Sequence, residues 1–289
     1  MTQLFERLAV AGVGLIGGSL ALAVREAGLA GEVVGFGRSA ENLEVARRRG
    51  LVDRITREAA SAATDADVIV LAGPVGTCAA LAATFRPHAR SGTILTDVAS
   101  VKGGLVPVLE ARWAGIGPVV GAHPVAGSEA SGAAAARGDL FRGRRCILTP
   151  TPATDRAALA RIRALWEGVG ARVEEMSPVL HDDVMARASH LPHLLAYALV
   201  AAVGRVEIEG RRILDYAGTG FADTTRIAGS PAELWRDIAL ANVASIRTAL
   251  AEFRAVLDRI EHLVVDGNGA GLEAALAEAR ALRGRLRGD

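Results

Sequence analysis

Residues 7–19, RLAVAGVGLIGGS, constrain the fold of this chain more than any other stretch. A short apolar run ends in glycine, and Gly12, Gly14 and Gly17 then take G-x-G-x-x-G spacing. Apolar residues at helical spacing follow through residue 26, with Leu15 and Ile16 in the first turn. The first glycine makes a tight turn out of a strand, the second lets the backbone approach a pyrophosphate, and the third lets helix and strand pack closely. Such spacing alone is a weak signal; between a strand and a helix it has the context a dinucleotide site needs. The helix N-terminus adds free N–H groups and a partial positive charge. The competing reading is close strand–helix packing with no ligand.

The alternation continues. Apolar runs at 32–36, 67–73, 93–98, 118–123 and 145–150 predict further strands, all parallel. Helical stretches at 40–49, 75–86 and 101–112 lie between them. DVIVLAG, residues 67–73, is continuously apolar, as a strand buried on both faces should be. The expectation is an α/β Rossmann-type, doubly wound parallel sheet. Ligands of such sheets bind beyond the carboxyl ends of the strands. Pro74, Asp97 and His123 each fall at such an end and should share one crevice.

From residue 178 the pattern turns helical. Ser177 reads as an N-cap with Pro178 at N1. A continuous helix is expected over 233–265, with Leu234, Ile238, Ile246, Leu250, Phe253, Leu257 and Ile260 on one stripe. GNGAG at 267–271 breaks it before a last helix. The boundary is placed near 175, giving a dinucleotide-binding domain over 1–175 and an all-helical substrate and dimerisation domain over 176–289. Long apolar stripes of this kind often bury against a second subunit, so a homodimer through the C-terminal helices is expected.

A formal net charge of +1 gives no reason to expect a nucleic acid or membrane surface as partner. The first residues lack the basic and apolar segments of a secretory signal, and the apolar run at 194–203 is too short to span a bilayer. Cys78 and Cys146 form neither a disulfide framework nor a metal-ligand spacing, which fits a reducing cytoplasm. Of 33 basic residues, Lys102 is the only lysine. A compact ammonium rather than a wide guanidinium fork fits a tight site; the residues around Lys102 assign it no task.

The second strand ends GFGRS, so Gly37, Arg38 and Ser39 stand where an NAD-selective site usually has an acid for the ribose hydroxyl. No carboxylate repels a 2′-phosphate, and Arg38 is placed to meet one. The cofactor is NAD or NADP, with NADP plausible; the alternative leaves Arg38 a solvated charge. His123, in GAHPVAGSEASG (121–132), is a candidate proton acceptor at a strand end, among residues too small to bury it. Ser100 can donate to His123 or to a substrate hydroxyl, and can cap a helix starting at Val101. His190 and His193, in SHLPH, suggest a polar substrate wall; a metal is rejected because Pro192 intervenes and no third ligand accompanies them. Arg226, among threonines in DTTRIAGSPAELW (223–235), suits bidentate capture of a carboxylate. Its alternative is a surface ion pair with Asp223 or Asp237.

Taken together, GVGLIGGSLALAV, DVASVK, GAHPVAGSEASG, SHLPH and DTTRIAGSPAELWRDI resemble the signatures of the prephenate and arogenate dehydrogenases of tyrosine biosynthesis, in that family's order. The resemblance implies a Rossmann-type domain joined to a helical dimerisation domain, and oxidative decarboxylation of a cyclohexadienol. It implies that His123 contacts the ring hydroxyl with support from Ser100, and that His193 and Arg226 bind substrate. Trp235 matches a tryptophan near the substrate carboxylates, and Glu129 and Asp223 match acids at the pocket mouth. The departure is Gly37, where NAD-using members often have aspartate. Two rivals stand beside this reading. A β-hydroxyacid dehydrogenase would normally need a lysine in the helical domain, which has none. A non-catalytic NADP(H) sensor would leave the converging histidine, serine and arginine without a task.

Overall fold

The computed structural model describes residues 3–127 and 130–285 of the 289-residue chain. Eight strands form one sheet: β1 (Phe5–Ala11), β2 (Ala30–Phe36), β3 (Arg54–Thr56), β4 (Val68–Leu71), β5 (Ile94–Asp97), β6 (Val119–Pro124), β7 (Arg145–Thr149) and β8 (Arg172–Glu175). Their spatial order is β3-β2-β1-β4-β5-β6-β7-β8. Six helices cover it: α1 (Leu15–Glu26), α2 (Ala40–Arg48), α3 (Ala59–Ala63), α4 (Val75–Phe85), α5 (Leu105–Trp113) and α6 (Arg156–Gly168). Alternate residues of β1 point to opposite faces, as the pleat requires. Leu8 and Val10 join a core with Leu20 and Val24 of α1 and Trp166 of α6. Ala9 and Ala11 join the opposite core with Phe85 of α4 and Trp113 of α5. Both faces are therefore dry, which is why Leu8–Ala11 of β1 and all of β4 read as unbroken apolar runs.

The first six strands are parallel, but β7 runs antiparallel to β6, against the expectation for residues 145–150. A parallel return needs a crossover of a dozen or more residues, usually a helix. Among the described residues between β6 and β7 there is only a short 3-10 turn, Ala133–Ala135. The chain therefore turns back along β6. After β7, α6 supplies a proper crossover, and β8 is parallel to β7.

The strand order reverses beside β1, whose neighbours are β2 and β4. Gly12 leaves β1 with φ +107°, and a Cβ there would lie 2.7 Å from the Ala72 carbonyl oxygen. A Cβ at Gly17 would come within 2.0 Å of the Gly12 carbonyl oxygen, so α1 packs too close for any side chain. Gly14 faces open space.

The second half consists of α7 (Pro178–Met185), α8 (Leu191–Val203), α9 (Thr219–Thr225), α10 (Ala232–Ala241), α11 (Val243–Val265) and α12 (Gly269–Arg283), with a small hairpin, Glu207–Ile208 and Arg211–Arg212. Ser177 caps α7, its hydroxyl accepting the Leu180 N–H, with Pro178 in the first turn. The expected continuous helix over 233–265 is instead two helices. Asn242, at φ −123° and ψ 41°, breaks it. Its amide donates to the Asp182 carbonyl at 2.9 Å and meets His190 Nδ1 at 3.2 Å. A buried tertiary bond thus wins over helical continuity. Val101 packs with Trp235 and Ile238 of α10, which ties the two halves together.

Candidate active site

A cavity of about 380 Å³ opens between the sheet and the helices. His123, at the end of β6 and 6% exposed, lines it together with Ser100 and Ile16 of α1. From the helical half, His193, Trp235 and Ser230 complete the wall. His123 and His193, 70 positions apart in the chain, therefore face one space.

Ser100 does not cap a helix at Val101, as one reading expected. Helix α5 begins four residues later, at Leu105, after Gly104. The intervening backbone is bonded elsewhere: the Lys102 and Gly103 N–H groups donate to the Asp182 carboxylate at 2.8 and 2.7 Å. A Cβ on Gly103 would lie 2.7 Å from that carboxylate, so glycine admits it. Lys102 is fully buried, and its ammonium is paired with Asp97. Asp97, expected to hold cofactor, has its carboxylate turned inward. It accepts from Lys102 and, at 2.9 and 3.3 Å, from the Ala99 and Ala122 N–H groups. Its work is to hold the turn behind the crevice.

His190, expected on the substrate wall, is also behind it. The ring is 1% exposed, bonded through Nδ1 to Asn242 and set against the Ser100 backbone. His193, half-buried, is the one of the pair that lines the cavity. Its ring stacks on Trp235 with centroids 3.6 Å apart, and its Nδ1–H donates to the Ser189 carbonyl at 2.9 Å, leaving Nε2 as an acceptor. The Trp235 indole N–H is buried and has no acceptor among the described residues. Arg226 is exposed, in the short turn Arg226–Gly229, close enough for its charge to help burial lower the His193 pKa. Asp237, a proposed ion-pair partner of Arg226, is taken by Arg236 at 2.7 Å. Asp223 is exposed on α9. Glu129 lies outside the described residues.

Two residues that sequence reasoning missed stand directly behind His123. His181 Nε2 is 2.8 Å from His123 Nδ1, and His181 Nδ1 is 2.8 Å from Asp182 Oδ1. Both sit on α7, buried, and nothing in the sequence pointed to them: the apolar Val179 and Leu180 of the same helix are exposed.

Burial dominates the electrostatics of this cluster. It pulls His123 well below its ordinary value, with the neighbouring His181 and Lys102 adding to the effect. His181 is lowered by burial against the pull of Asp182, and His190 falls from 6.5 to about 4. Each imidazole is thus neutral in the folded chain at pH 7 and titrates normally once unfolded. A depressed histidine pKa stabilises the fold above pH 6.5, and that stability is lost as pH falls toward the folded value. His190 alone accounts for about 2 kcal/mol lost at pH 5, taking its ordinary value as ~6.5. Urea unfolding at pH 7.5 and pH 5 should show at least this loss, and His190→Gln should reduce it. Equal stability at both pH values would contradict the assignment.

The cofactor crevice lies next to the cavity. A second hollow of about 320 Å³ is lined by Gly12, Gly37, Arg38, Pro74 and Thr77. Gly14 precedes α1 with no side-chain cap, so the first N–H groups of the helix, around Leu15 and Ile16, are open to an anion. Ser39 caps α2 by accepting the Asn42 N–H at 3.1 Å. Asn42, also missed from the sequence, donates to the Val13 carbonyl at 2.7 Å and so holds the glycine loop. Uncapped helix, open Gly14 and adjacent hollow fit a dinucleotide.

Residues 20–175 match the family model described as prephenate dehydrogenase, nucleotide-binding domain, and residues 177–278 match prephenate dehydrogenase, dimerization domain. A cyclohexadienyl dehydrogenase of Zymomonas mobilis is 33% identical over 99% of this chain and 97% of its own. A prephenate dehydrogenase of Bacillus subtilis is 35% identical over 91% of this chain and 71% of its own. The crystal structure of prephenate dehydrogenase from Aquifex aeolicus, in complex with hydroxyphenyl propionate and NAD+, superposes with a TM-score of 0.93 at 34% identity, covering 99% of each chain. The fold and both halves of the sequence place this chain in the prephenate dehydrogenase family.

Proposed function

We propose that this chain catalyses the oxidative decarboxylation of prephenate to 4-hydroxyphenylpyruvate with NAD or NADP. The observation that carries the reading is one cavity bounded by His123 and Ser100 on the sheet side and by His193 and Trp235 on the helical side. Gly12, Gly14, Gly17, Leu15 and Ile16 would hold the pyrophosphate, with Pro74 beside it and Arg38 and Ser39 at the ribose end. A nicotinamide held there would supply the acceptor for the hydride at C4 of the ring. Neutral His123 receives the hydrogen bond of the C4 hydroxyl, assisted by Ser100, and takes its proton as positive charge develops at C4. The ring carboxylate leaves as carbon dioxide, and its bonding electrons complete the aromatic ring. His123 returns the proton to the phenolate oxygen, so the reaction neither consumes nor releases a net proton. His193 and the Trp235 N–H hold the polar substituents, and Arg226 captures a carboxylate at the mouth, with Asp223 nearby. Aromatisation supplies the driving force, so the protein's main task is to position and polarise.

Assays with prephenate and with arogenate, each against NAD and NADP, test this. Turnover of neither dienol would end the reading. Preference for arogenate would favour the second reading, which the name of the cyclohexadienyl relative supports. Arg38→Ala should raise the KM for NADP at least about tenfold and leave that for NAD nearly unchanged, because only the former has a 2′-phosphate to pair. Equal KM changes would return Arg38 to the solvent.

We further propose a cytoplasmic homodimer. No described helix is long and apolar enough to cross a membrane. On α11 and α12, Val256, Leu257, Val264, Val265, Leu276 and Leu282 are at least half exposed, an apolar surface suited to a second copy.

A further inference from the structure

We infer that His181 and Asp182 are positioning residues that lock His123 in the one tautomer able to accept a proton from the cavity. The inference rests on the proton-acceptor role proposed for His123. Asp182 anchors the chain of bonds. Its carboxylate already receives the Lys102 and Gly103 N–H groups, and a carboxylate only accepts. Its third contact, at 2.8 Å, is therefore a donation from His181 Nδ1–H. A neutral imidazole with hydrogen on Nδ1 has a lone pair on Nε2. His181 Nε2, 2.8 Å from His123 Nδ1, is then an acceptor, and His123 must donate through Nδ1–H. The lone pair of His123 consequently lies on Nε2, the nitrogen left for the cavity that His123 lines.

His181 is fully buried and does not line that cavity, so it acts through His123 and not on substrate. Because the reaction has no net proton to dispose of, the relay has nothing to drain. It needs only to orient the ring and to receive the strengthened Nδ1–H bond while His123 is charged. The sequence offers no motif for this pair, because the contact spans 58 residues.

The test combines kinetics with nitrogen-15 NMR of the histidine rings in the full-length protein, which has only six histidines. In the wild type, His123 should carry its hydrogen on Nδ1. His181→Phe, which fills the space but cannot accept, should lower kcat at least about 10²-fold, with the KM for prephenate changed less than about threefold. His123 should lose its single tautomer in that variant. His181→Gln, whose amide oxygen can accept from Nδ1–H, should recover kcat to within about tenfold of the wild type. Hydrogen on Nε2 of His123 in the wild type overturns the inference, and needs no variant to fold. So does a His181→Phe kcat near the wild-type value while His123→Asn is impaired, which leaves the role of His123 intact. If His123→Asn also retains its kcat, the underlying mechanism is what fails.

Discussion

His123→Asn should lower kcat by about 10²- to 10⁴-fold, the usual contribution of a general base, while the KM for prephenate stays nearly constant. Asparagine can still bond to a hydroxyl, so ground-state binding survives; it cannot hold a proton, so the developing charge goes unrelieved. A loss confined to kcat identifies an interaction made in the transition state. A KM effect alone would make His123 a binding residue. The pH profile carries a second signature. Burial first, then His181 and Lys102, hold the His123 pKa well below its ordinary value. The acceptor is therefore already neutral at physiological pH, and kcat/KM should stay flat down to about pH 6.5, the ordinary histidine value, falling only at more acid pH. An acid limb centred above neutrality would be incompatible with this environment.

Arg226→Ala should raise the KM for prephenate by about 10- to 100-fold, or about 1.4–2.8 kcal/mol, with a smaller effect on kcat. Buried charge partners cost more when removed, on the order of 2–5 kcal/mol. Arg226 is exposed in the free protein, so solvent screening reduces the expected value. Arg226→Lys should recover only part of the loss, because a point charge does not reproduce a two-pronged carboxylate contact. Steady-state kinetics at saturating cofactor measures both. An unchanged KM in the alanine variant would make Arg226 a surface charge with no part in binding.

Much of this architecture was legible because burial writes itself into composition. Strands dry on both faces favour apolar runs, so β4 and the Leu8–Ala11 part of β1 stood out, and Gly12 and Gly17 marked where backbone meets backbone. Direction was not legible: Cys146, Ile147 and Leu148 of β7 are as apolar as the residues of β4, and only the absence of a crossover helix among the described residues after β6 sets β7 antiparallel to it. The break at Asn242 carries neither glycine nor proline; its cause is a bond to α7, far away in sequence. The site divides the same way. His123, Ser100, His193 and Trp235 fall on the cavity wall as their motifs suggested. His190 and Asp97 sit one layer back, because a motif tells which residues cluster but not which of them faces the ligand. His181 and Asp182 were hidden for the same reason.

Asp182 belongs to the helical half, yet it holds the backbone of Lys102 and Gly103 in the nucleotide-binding half. The two halves are consequently not interchangeable modules. A chimaera that took its N-terminal portion from one relative and its C-terminal portion from another would bring together a glycine notch and a carboxylate with separate histories. Recombination at this junction succeeds only where both sides of that contact are inherited as a set.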